Sequence, residues 1–167
     1  MKTVTKMSLL IVLLSGLVVS CNKDQKAVKS ISNGIWYLTE ITTNGNAYQP
    51  ITDSTCITYS FITCKLKNED ACSGNIDMMD LVAGIWGGQG YTNPFTYKIY
   101  EKGTKIEFTI EWMKPSGLDH VEIIDADIIE LISNRLIFSY EEAGETIKKT
   151  LLHSTNSEYD KRYDGCF

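Results

Sequence analysis

Residues 105–112 read Lys-Ile-Glu-Phe-Thr-Ile-Glu-Trp. Ile106, Phe108, Ile110 and Trp112 fall on one side of a strict alternation, and Lys105, Glu107, Thr109 and Glu111 on the other. Successive side chains of a pleated strand point to opposite faces, so this period of two marks a half-buried antiparallel strand. Just upstream, Phe95, Tyr97 and Ile99 alternate against Thr96, Lys98 and Tyr100, and Glu101-Lys102-Gly103 turns the chain between the two runs. Together they predict a hairpin.

The same pattern extends in both directions. Ile35–Ile41 is β-branched and aromatic and stops at Thr43-Asn44-Gly45-Asn46, a turn signal. Cys56–Ile62 places Ile57, Tyr59 and Phe61 on one face. Beyond the turn Lys114-Pro115-Ser116-Gly117, Val121–Leu131 is a long strand whose apolar parity shifts around Ile128-Ile129, which predicts a bulge. Leu136, Phe138 and Tyr140 mark the next strand, Glu142-Ala143-Gly144-Glu145 turns, and Thr146–His153 is the last strand. About eight strands joined mostly by hairpins predict an all-β fold, a small antiparallel up-and-down barrel whose closure hides its edges.

Two segments interrupt the pattern. Glu69–Asn93 contains Met78, Met79, Leu81 and Val82, then a glycine-rich stretch around Trp86. A segment this long inside a small domain carries function or structure of its own, here a short helix, a strand or both. In the tail, residues 156–167, Tyr159, Tyr163 and Phe167 recur at a spacing that suits one face of a short helix.

The chain opens with Lys2 and Lys6, an apolar run Met7–Val19, and then Ser20-Cys21. As a helix that run rises about 20 Å, short of a ~30 Å hydrocarbon core, so residues 1–20 read as an export signal. Val18-Val19-Ser20-Cys21 resembles the lipobox of bacterial lipoproteins. The resemblance implies cleavage before Cys21, lipidation of its thiol and anchoring at the outer membrane, on the periplasmic face or the cell surface. Residues 21–32 are polar and mixed in charge and read as a flexible tether, followed by a barrel domain over 33–155.

The formal net charge of −5 argues against nucleic acid as a partner. With Cys21 lipidated, Cys56, Cys64, Cys72 and Cys166 remain in an oxidising compartment, an even number that permits three pairings. Cys56–Cys72 with Cys64–Cys166 is the favoured pairing.

Gly34-Ile35-Trp36, with Leu38 and Thr39 following, resembles the G-x-W opening of lipocalins, and more closely the short lipocalin-like domains of bacterial lipoproteins. The resemblance covers roughly 33–153 and implies a barrel with a ligand cup. Trp36 is expected to plug one end of it.

Little else carries chemistry. His120 and His153 lie in different strands, no phosphate-binding or nucleophile motif occurs, and Asp125 and Asp127 share the strand face opposite Ile124 and Ala126. No enzyme activity, cofactor or metal site is expected. The expected function is binding of a small hydrophobic ligand, with Tyr59, Phe61, Tyr97, Phe108, Trp112 and Phe138 as wall residues. The other reading is a filled barrel acting as a protein-interaction module, an inhibitor or accessory subunit of an envelope complex, through an apolar patch in 69–93.

Overall fold

In a nearly closed antiparallel meander each strand pairs with the next, and the first must find the last. The computed structural model, which describes residues 23–32, 34–47, 55–66, 70–80 and 91–153, has this arrangement. A helix α1 (23–31) precedes strands β1 (Ile35–Thr43), β2 (Asn46–Ala47), β3 (Thr55–Phe61), β4 (Cys72–Asp80), β5 (Tyr91–Tyr100), β6 (Lys105–Lys114), β7 (Gly117–Ile132), β8 (Arg135–Glu142) and β9 (Glu145–His153). The sheet order is β2-β1-β3-β4-β5-β6-β7-β8-β9, and β1 also pairs with β9. The two-residue β2 hangs on β1, so the closed barrel has eight strands.

The turns follow local chemistry. Asn44-Gly45 (φ 50° and 79°) and Ala143-Gly144 (φ 52° and 84°) both take two consecutive left-handed residues, the conformation that matches strand twist in tight hairpins. The parity shift read near Ile128-Ile129 is a register shift between Ile128 and Glu130. The β7–β8 ladder spans only Asp127↔Ser139 to Ile132↔Arg135, so Gly117–Ala126 of β7 pairs on its β6 side.

The interrupted segment resolves in part. Cys72–Asp80 is a full strand, paired with β3 on one side and β5 on the other. The alternation was missed because Gly74 stands at an inward position. A β-carbon there would run into the Phe95 ring and the Ser60 carbonyl, so the missing side chain makes room for an aromatic neighbour.

Two sequence expectations fall. Residues 21–32 are not a tether throughout: 23–31 form α1, with Val28 and Ile31 fully buried and Ala27 nearly so. Positions 27, 28 and 31 share one helical face, and that face packs into the barrel end. The packed domain therefore includes α1 and is not confined to residues from 33 onward. The disulfide also differs. Cys64 bonds to Cys72, with Cα atoms 5.3 Å apart, which removes both the Cys56–Cys72 and the Cys64–Cys166 pairings. The β3–β4 register explains it. Cys56 lies opposite Met79, at the far end of β4 from Cys72, roughly 23 Å away at 3.3 Å per residue. A disulfide needs Cα atoms within about 7 Å. Cys64, just past the end of β3, faces the start of β4 instead.

Cys21, residues 48–54, 67–69 and 81–90 including Trp86, Cys166 and the tail lie outside the described residues.

Hydrogen bonds tie α1 to the barrel. The buried Trp36 ring donates its Nε1–H to the Ile31 carbonyl at 2.6 Å, at the helix C-terminus where carbonyls lack helical partners. Gln25 donates through Nε2 to the Cys64 carbonyl (2.9 Å) and accepts the Leu66 N–H through Oε1 (3.0 Å). The side-chain amide thus pairs with the segment after β3 as a strand backbone would. Truncating the buried Ile31 to alanine is expected to cost about 2–4 kcal/mol in urea denaturation. A solvated tether would show no change.

Candidate functional site

Among the described residues, the inward side chains are fully buried at one end of the barrel and mostly half-buried at the other. Near α1, the inward side chains Trp36, Cys72, Ile99, Ile106, Leu136 and Leu151 are all buried. Rings fill the middle: Phe61 lies 5.4 Å from Phe95 and 5.2 Å from Tyr97, and Phe108 lies 5.3 Å from Phe138. Toward the other end the same faces change character. Ile41, Ile57, Met78, Trp112, Tyr140 and Ile147 continue the inward positions of their strands yet are only half-buried. Inward side chains that stay accessible define a cup, with the aromatic layer as its floor.

This division sorts the six expected wall residues. Tyr59, Phe61, Tyr97, Phe108 and Phe138 are at most 4% exposed and belong to the floor and core; Trp112 reaches into the cup. Tyr97 points its hydroxyl to the Ile62 carbonyl (3.0 Å), and burial pushes its phenol up.

The cup also holds polar residues that the sequence reading passed over. Lys149 pairs across β1 with Ile41 and across β8 with the buried Phe138, so its side chain enters the lumen. Its Nζ lies 5.4 Å from the centre of the Tyr140 ring, a cation–π contact. Burial works against the ammonium, but Tyr59, Tyr140 and Glu122 around it outweigh that effect and hold its pKa above the ordinary lysine value. It is therefore charged at neutral pH. Burial raises the Tyr140 phenol, with Lys149 opposing, so that hydroxyl stays neutral. Glu122 lies across from the buried Ile110, also inward, and its Oε2 accepts the Trp112 Nε1–H at 2.6 Å.

The signal for both residues was present. Lys149 is in phase with Ile147 and Leu151, and Glu122 with Ile124 and Ala126, so alternation alone places them inside.

At the rim, His120 stacks near Trp112 with ring centres 6.3 Å apart, and its Nδ1 lies 3.0 Å from Asp119. Lys114 Nζ reaches the same carboxylate at 2.6 Å; Lys114 and His120 hold Asp119 below the ordinary carboxylate range. His153 packs edge-on against Trp36 at the sealed end, 5.0 Å between centres. Asp125 and Asp127 lie on the outer face, bound by the Tyr100 hydroxyl and by Lys105 Nζ (3.0 Å) respectively. Among the described residues no cluster of three or more His, Cys, Asp or Glu is placed to hold a metal ion.

No family model and no curated protein matches this chain. Solved structures do. Japanin from Rhipicephalus appendiculatus, in a crystal form bound to cholesterol, superposes with a TM-score of 0.52 at 11% identity, over 80% of each chain. Lobster apocrustacyanin A1 matches with a TM-score of 0.42 at 15% identity, and apocrustacyanin C2 with 0.42 at 14%, each over 89% of this chain and 78% of theirs. The fold is a lipocalin-like barrel.

Replacing Lys149 by an apolar side chain of like length exchanges the stabilisation its neighbours give the ammonium for burial of apolar surface, and the two nearly cancel. Lys149→Met keeps the length and removes the charge. In urea denaturation it is expected to leave stability unchanged or raised, within about 1 kcal/mol.

Proposed function

We propose that this chain is a non-enzymatic binding protein that holds a small hydrophobic ligand in the cup opposite α1. We further propose that a lipid on Cys21 anchors it at the outer membrane, on the periplasmic face or the cell surface. The observation that carries the binding reading is the gradient along the lumen. Side chains with the same inward phase are sealed near α1 and accessible at the other end. The binding of cholesterol by Japanin, which shares the fold, is consistent with such a use of the cup. The lipobox-like Val18–Cys21 supports the anchor.

A specific observation favours the second reading, a protein-interaction module in the envelope. Leu118, Val121 and Ile123 are exposed on β7, Ile123 at 70%, along the stretch that lacks β8 pairing. Exposed apolar residues on a half-paired strand suit docking of another chain.

Native mass spectrometry of residues 22–167, purified from the organism's own envelope, separates the two. A bound small molecule is expected. A clean unliganded mass, with no uptake of cholesterol or other apolar compounds, would favour the interaction module. For the anchor, Cys21→Ala is expected to abolish incorporation of labelled fatty acid into the full chain; labelling that persists would refute lipidation there.

A further inference from the structure

We infer that the cup selects ligands with a single negative charge on an apolar body, such as a long-chain carboxylic acid, and that Lys149 receives the anionic head. The inference rests on the cup-binding reading and adds the chemistry of its occupant.

The geometry points to an unmet partner. Among the described residues, the ion pairs are Lys105–Asp127, Lys114–Asp119, His120–Asp119 and Arg135–Glu130, and Lys149 is in none of them. An ammonium carries three donors and no acceptor, and the Tyr140 hydroxyl engages one of them. Around it stand the Tyr140 ring and hydroxyl, Tyr59, and the apolar Ile41 and Phe138. Such neighbours solvate a cation only in part, and a carboxylate supplies the charge-assisted hydrogen bonds that they do not.

The other charge in the cup sharpens the prediction. Glu122 is engaged by the Trp112 N–H and acts on Lys149 at longer range. Its negative charge opposes any second charge on a ligand, so a monoanion is favoured over a dianion. The half-buried Ile41, Ile57, Met78, Trp112 and Ile147 offer the apolar wall for the ligand's body.

Isothermal titration of residues 22–167 with dodecanoate, methyl dodecanoate and dodecanol at pH 7 tests this. The span keeps every described element. The acid is expected to bind about tenfold or more tightly than the ester and the alcohol. Lys149→Met should bring the acid down to the ester's affinity, Lys149→Arg should keep the preference, and Glu122→Gln should strengthen acid binding a few-fold. Near-UV circular dichroism verifies the fold of each variant, and Lys149→Gln replaces Lys149→Met if the latter fails to fold. Equal binding of acid and ester, or a preference that survives removal of the Lys149 charge, overturns the inference while leaving the cup reading intact. Uptake of none of the three overturns the inference as well. Combined with an unliganded native mass, that result also overturns the reading on which it rests.

Discussion

The pairing of β1 with β9 is the contact on which the rest of the molecule depends. A meander left open would present two edges whose backbone N–H and C=O groups lack partners. Pairing Trp36 with His153 at one end of the seam and Thr43 with Ile147 at the other joins the first and last strands along β1's length. Closure gives alternation its meaning, because every second side chain then faces one enclosed lumen. It also brings Ile41 of β1 against Lys149 of β9, residues far apart in the chain that become neighbours only across the seam.

Closure alone does not distinguish the two ends of a barrel; α1 does. Its Ala27, Val28 and Ile31 cover one opening, and Trp36 links the helix to the first strand by a buried hydrogen bond. Gln25 and the Cys64–Cys72 disulfide secure the adjoining connection between β3 and β4. The opposite end has several inward side chains that remain partly accessible, and there Lys149, Glu122 and the buried Asn93 stand among apolar residues. The fold thus puts its packing at one end and its polarity at the other. A site that binds must leave some surface unsatisfied, and the tightly packed floor can offset that cost.

Much of this was legible in the chain. Residues 105–112 revealed their strand outright, the bulge in β7 appeared as a parity shift, and the turns at Asn44-Gly45 and Ala143-Gly144 were marked by their residues. β4 was obscured because Gly74 interrupts the apolar alternation where Phe95 needs its space. α1 was hidden by its brevity: a short polar segment with only Ala27, Val28 and Ile31 on one face matches a linker unless the surface it covers is known. The aromatic residues were visible as inward-facing, but their division into floor and cup depends on height along the barrel axis, which alternation does not encode.

By itself the sequence determined the all-β class, the bounds of most strands other than β4, the turns, and the alternation that divides inward from outward side chains. These are local properties, set by backbone sterics and a period of two. Only the tertiary structure decided which strands meet across the seam, which cysteines bond, which end is sealed and where along the lumen the charges lie. Those outcomes depend on register and on contacts between distant residues. Cys56 and Cys64 look equally able to reach Cys72 in the chain, and only the β3–β4 pairing puts one of them a strand length away.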